Sequence, residues 1–173
     1  MRRIRPPFRA NAAARPPVEV DIAEVGVRGD GVAVWQGRRL FVPLALAGER
    51  VMAEIVGETG DGLQARLIEV LRPAAERVAP ACRHFGECGG CSLQHLAPPA
   101  AATWKRQRVV AALRQRGVDA AVAETAAIAP GSRRRAVFAY RVTGGGAVLG
   151  FNARASRHIV DQRECPLLDP RLG

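Results

Sequence analysis

From Val18 onward, apolar and polar residues alternate. Val18, Val20 and Ile22 are separated by Glu19 and Asp21, the two-residue period of a half-buried strand. GVRGDG (26–31) predicts a turn, GVAVW (31–35) a second strand, QGRR (36–39) a hairpin turn and LFVPL (40–44) a third strand. AGERVMAEIVGE (47–58) supplies a fourth, with Val51, Ala53 and Ile55 on one face. ETGDG turns the chain and LQARLIEVL (63–71) supplies a fifth. Five short strands with Gly-rich turns predict a small closed barrel of the OB type. An open five-stranded sheet satisfies the same turns.

Pro73 and Pro80 bracket the exit from this region. The chain therefore reads as a basic, Pro-rich tail (1–17), a barrel (18–75) and a second domain (76–173). PPAAATWKRQRVVAALRQRG (98–117) predicts a helix, with Pro98 and Pro99 at its start and Gly117 as its cap. At helical spacing Val109, Val110 and Leu113 share an apolar face, and Lys105, Arg108 and Arg116 a basic one. ETAAIAPG (124–131) is a strand or loop. RAVFAYRV, AVLGFNA and RHIVD predict three strands, the first two joined around Gly144, Gly145 and Gly146. The second domain is thus α+β, one helix against a small antiparallel sheet. The run TGGGAVLG is superficially like a cofactor loop. Such a loop should follow a parallel strand and open a helix, whereas β-type sequence lies on both sides here.

Charge sharpens this division. The net charge of +10 resolves into +5 over residues 1–17, −3 over 18–80 and +8 over 81–173. Segregated positive charge predicts a polyanion partner for the tail and the second domain, with the barrel contributing less. Trimming residues 1–17 is expected to flatten the salt dependence of RNA binding. Arginine favours bidentate phosphate contacts, although an Ala- and Arg-rich chain with a single lysine also follows from genomic base composition. No run of ~18 apolar residues predicts a membrane helix. The N-terminus has no secretory pattern, and its prolines oppose a presequence helix. A cytoplasmic protein without a membrane partner is expected.

The four cysteines carry the most specific pattern: C-x5-C-x2-C at Cys82, Cys88 and Cys91, then 73 residues, then Cys165-Pro166. Without a secretory signal, disulfides are not expected. Four thiolates satisfy either a tetrahedral zinc or a four-iron cubane. Gly89 and Gly90 would let backbone amides approach a bulky cluster, a remote Cys-Pro occurs in iron–sulfur ligation, and a zinc ribbon would normally pair two C-x2-C knuckles. His84, His95 and His158 read as structural or surface groups.

ERVAPACRHFGECGGCSLQHL resembles the cluster-binding loop of the iron–sulfur RNA uracil-5-methyltransferases, which make 5-methyluridine in 23S rRNA. Residues 18–56 resemble that family's N-terminal TRAM domain, an OB-like RNA-binding barrel, with LAGERV in place of its Pro-Gly-Glu-x-Val turn. RRRAVFAY and VLGFNARASRHIVDQRECPLL resemble its central domain. The resemblance covers residues ~18–173 and departs at Ser132, where the family often has an aromatic. It implies a 4Fe–4S cluster held by Cys82, Cys88, Cys91 and Cys165. It also implies a C-terminal doubly wound domain that binds S-adenosylmethionine, carries a cysteine that attacks uracil C6 and a glutamate that helps remove the C5 proton. That domain is expected beyond Gly173, so this portion alone is expected to be inactive, with no catalytic residue of its own.

RNA contacts are expected from Arg134 and Arg135, with Arg133 beside them; Trp35 and Phe41 can both stack bases, with Phe41 read first as a core residue. Two other functions fit the same residues. One is a stand-alone RNA-binding module with a structural metal, working with a separate catalytic chain. The other is a zinc-stabilised interaction module.

Overall fold

The computed structural model describes residues 16–172. The expected basic tail therefore lies almost wholly outside the described residues. These divide between Arg77 and Val78 into two compact units, two residues past the break expected at 75/76.

The first unit contains β1 (Val18–Asp21), β2 (Glu24–Val25), β3 (Gly31–Trp35), β4 (Arg38–Val42), β5 (Arg50–Thr59) and β6 (Gly62–Arg72). The sheet order is β1-β5-β6-β4-β3-β2. Its two ends are halves of one strand. β1 pairs antiparallel with β5, β2 pairs antiparallel with β3, and only Ile22 and Ala23 separate them. The Ile22 N–H donates to Glu49 O (2.8 Å), and the next N–H, of Ala23, donates to Val32 O (2.9 Å) on the opposite side. The chain bends there and the ladder closes into a barrel. Counting β1 and β2 as one bent strand leaves the five expected. The parallel pairing of β4 with β6 completes the ring. The long β5–β6 hairpin changes register three times, which bends it around the interior.

Val20, Ala33, Leu40, Val42, Val51, Ala53, Ile55, Leu63 and Ala65 fill that interior. Alternating small and large side chains suits a narrow barrel. The β3–β4 turn is only Gln36–Gly37, both at positive φ (49° and 73°), the two-residue loop that matches strand twist. Arg38 and Arg39, expected in the turn, therefore begin β4.

Glu49 closes this unit. It is fully buried, accepts the Leu46 N–H (2.8 Å) and Ala74 N–H (3.3 Å), and pairs with Arg77. Arg77 also donates to Leu44 O (2.7 Å). The exit segment is thereby tied to the loop before β5.

The second unit contains α1 (Pro98–Arg114), β7 (Ala139–Thr143), β8 (Gly146–Asn152), β9 (Ile159–Asp161) and a 3-10 turn (Pro170–Leu172). Pro98 and Pro99 open α1. Gly117, at φ +72°, ends it, with the Gly117 N–H donating to Arg114 O and the Val118 N–H to Leu113 O. Two expectations need correction. No residue of α1 is fully buried, and Val109 is exposed. Arg108, placed on the outer face, instead lies half-buried over the Trp104 ring (5.9 Å). Nor does α1 pack on the sheet: it is held by the extended segment that follows. Arg106 Nε donates to Val122 O (2.8 Å) and Thr125 Oγ1 to Ala102 O (3.0 Å). Alanines around most of α1 leave no dominant apolar stripe to seek a sheet. The antiparallel sheet β7-β8-β9 forms as expected, with the glycine run as its first hairpin turn between Thr143 and Gly146. Residues 124–129 form no strand.

Candidate functional site

The cysteine loop is built from local turns. The Phe85 N–H donates to Cys82 O (3.0 Å), and the Glu87 and Cys88 N–H groups donate to His84 O (3.2 and 2.9 Å). Cys88 then lies antiparallel to Ala153, just past β8. The Gly89 N–H donates to Asn152 O (2.9 Å) and the Arg154 N–H to Glu87 O (3.0 Å). A Cβ at Gly89 would sit 2.8 Å from Asn152 O, so glycine is required by strand approach as well as by any ligand. The Gly90 N–H points at Cys88 Sγ (3.4 Å).

Cys165 reaches the same place from the far end of the chain. Its carbonyl accepts the Leu168 N–H (3.1 Å). The residues after it run parallel to the arginine run, with Arg133 bridged to Leu168. The Gly131 N–H donates to Pro166 O (2.9 Å), the Arg133 N–H to Leu167 O (3.1 Å) and the Asp169 N–H to Arg133 O (2.9 Å).

All four cysteines line one cavity, which Phe85, Phe151, Leu167, Gln94 and Gln162 help to enclose. All four are free thiols, and Cys88 is buried. Burial pushes the Cys91 thiol up. The Gln94 side chain pulls it down, and Cys88, Cys165 and Cys82 push it up again. Thiolates gathered here would repel one another, which a cationic centre would relieve. Gln94 was not anticipated. Its Oε1 accepts the Cys82 N–H (3.1 Å), which orients the amide; Nε2 and Gln162 Oε1 are buried without a partner of good hydrogen-bond geometry. Its place three residues after Cys91 was the available signal. Among the described residues no group of three or more His, Cys, Asp or Glu side chains is placed so as to hold a metal ion, although the four thiols line one cavity. None of the three histidines lines it. His95 is buried against Phe85 (5.2 Å between rings), and exposed His158 lies 4.0 Å from Glu87.

Arg133, Arg134 and Arg135 are exposed and line an open concavity. Arg133 also lines the cysteine cavity, so the two sequence-predicted sites are contiguous. Trp35 lies elsewhere, partly buried against the barrel core. Phe41 is the reverse of its expectation. Leu40 and Val42 point into the core, so Phe41 faces outward, half-buried beneath the Arg39 guanidinium (5.1 Å).

No family model matches the chain. It is 44% identical over 154 residues to an uncharacterized RNA methyltransferase of Brucella suis, covering 89% of this chain and 36% of that protein. It is 38% identical over 167 residues to a 23S rRNA (uracil(1939)-C(5))-methyltransferase of Alkalilimnicola ehrlichii, covering 92% of this chain and 37% of that protein. The crystal structure of Pyrococcus abyssi tRNA (uracil-54, C5)-methyltransferase in complex with S-adenosyl-L-homocysteine is similar in fold, with a TM-score of 0.57 at 25% identity. The match covers 88% of this chain and 33% of that one. The chain thus spans little more than a third of the length of the curated relatives it matches.

Proposed function

We propose that this chain, similar over about a third of their length to proteins named RNA methyltransferases, is the RNA-binding and iron–sulfur-bearing portion of an S-adenosylmethionine-dependent enzyme that forms 5-methyluridine in 23S rRNA. Binding of S-adenosylmethionine and methyl transfer are assigned to the part of the relatives' length that these residues do not span. The proposed partner is ribosomal RNA and the proposed compartment the cytoplasm. The closed β1–β6 sheet is read as the OB-like TRAM barrel.

One observation carries the reading: Cys165, separated from Cys91 by 73 residues, lines the same cavity as Cys82, Cys88 and Cys91, and that cavity adjoins the arginine run. The donor set is all thiolate and the walls include two phenylalanines and a leucine, the chemistry of a 4Fe–4S site. Bound there, the cluster would supply four iron–thiolate bonds that cross-link residues 82–91 to residue 165. Gln94 orients the loop through Cys82, and the Gly90 N–H supports the Cys88 sulfur. Arg133, Arg134 and Arg135, with no carboxylate partner among the described residues, contact phosphate.

Anaerobic purification followed by visible spectroscopy and metal analysis tests the metal. Broad visible absorption with about four irons and four sulfides per chain is expected. A colourless protein with one zinc would overturn the cluster and leave a zinc-stapled RNA-binding module. Fluorescence anisotropy with a short single-stranded 23S rRNA fragment tests the arginines. Replacing Arg134 and Arg135 with alanine should weaken binding and lower the salt slope by roughly 1.4. An unchanged slope would remove them from the interface.

A further inference from the structure

The barrel carries a second surface of a different kind. The first unit has seven arginines among its described residues. Arg38, Arg50, Arg66, Arg72 and Arg77 are paired with Glu58, Asp21, Glu54, Asp21 and Glu49. Arg28 and Arg39 have no carboxylate partner there. Arg39 instead lies over Phe41, on the outer face of β4. Val34, directly across from Arg39 on β3, is 67% exposed. On the other side Phe41 is in register with Gln64 of β6, while their neighbours Leu40 and Leu63 both point into the core. An aromatic ring, an uncommitted guanidinium and a side-chain amide therefore share the outward face of adjacent strands.

We propose that Phe41, Arg39 and Gln64 form a site for one unpaired RNA base. It rests on the RNA-binding reading above. The base stacks on the Phe41 face, and Arg39 swings from the ring to the adjoining phosphate. That movement gives up only a surface cation–π contact, because no carboxylate holds the guanidinium. Gln64 offers one donor group and one acceptor to the base edge. The barrel's net charge of −3 over residues 18–80 makes stacking, which is indifferent to overall charge, the suitable form of contact for this unit.

The test uses the full chain and a short single-stranded 23S rRNA fragment carrying 2-aminopurine. Phe41→Leu keeps an apolar side chain but removes the ring. It should weaken binding roughly ten-fold, abolish stacking quench of the fluorophore and leave the salt slope unchanged. Phe41→Trp should restore both affinity and quench. Arg39→Gln should lower the salt slope by roughly 0.7. Full affinity and quench in Phe41→Leu would overturn the proposal, while loss of binding in the Arg134/Arg135 variant would leave the wider reading standing. Failure of the unaltered chain to bind the fragment would overturn both.

Discussion

Glu49 shows what a single side chain does in this protein. Burial pushes its carboxyl up, but Arg77 and the N–H groups of Leu46 and Ala74 outweigh burial and leave it below the ordinary value. Its contribution is therefore complete above the ordinary carboxylate range and is lost as pH falls from there through the lower folded value. Glu49→Gln should cost about 3 kcal/mol or more, since it leaves Arg77 without its charge partner. It should also flatten the acid limb of stability, which urea titrations between neutral and acidic pH would measure. Gly89 is the counterpart in the second unit. Gly89→Ala forces a methyl against Asn152 O and should cost about 1–3 kcal/mol there, with lower iron content after anaerobic purification. An alanine variant with native iron content would show that Asn152 can move aside. Glu49 was visible in the sequence only as part of LAGERV; its buried ion pair was not, because Arg77 lies 28 positions away.

At the scale of elements, most strands were legible because the barrel alternates inside and outside residues. The bend at Ile22–Ala23 was not. It depends on two hydrogen bonds, donated by the Ile22 and Ala23 N–H groups to Glu49 O and Val32 O, 27 and 9 residues away. Phase was also ambiguous where three apolar residues follow one another, as in LFV: either Phe41 or its neighbours could face the core. Only the pairing of β4 with β3 and β6 decided it. The arginine run is an element held by another: residues 131–133 are bonded to residues 166–169 beside Cys165. Cys165→Ser, or removal of the proposed cluster, should raise hydrogen exchange at Arg133 and Asp169 together and leave β5 and β6 unaffected. Equal exchange in loaded and metal-free chains would separate the two elements.

At the scale of the molecule, the two units are unequally built. Of the buried apolar side chains among the described residues, fourteen lie in the first unit, while Cys88, Ile159, Val160 and Leu168 serve the second. A unit with so small a core depends on a staple, and the four cysteines stand where one is needed. If the proposed cluster is that staple, unfolding in urea, followed separately in the two units, should reveal it. Chelation should lower the midpoint of the second and leave that of the barrel in place. A common shift would show that the units unfold as one.

The alternation from Val18 to Leu71, the Pro and Gly that bound α1, and the C-x5-C-x2-C spacing are local patterns, and the sequence by itself determined the elements they specify. Side-chain alternation along a strand, hydrogen bonding within a helix and the gathering of three cysteines within ten residues need no distant partner. The tertiary structure decided what local pattern cannot encode. It closed the barrel through one bent strand, turned Phe41 outward and Trp35 inward, and brought Cys165 to the cysteine loop with the arginine run bonded behind it. Each of these depends on which backbone groups pair across long separations, and residue spacing alone does not carry that information.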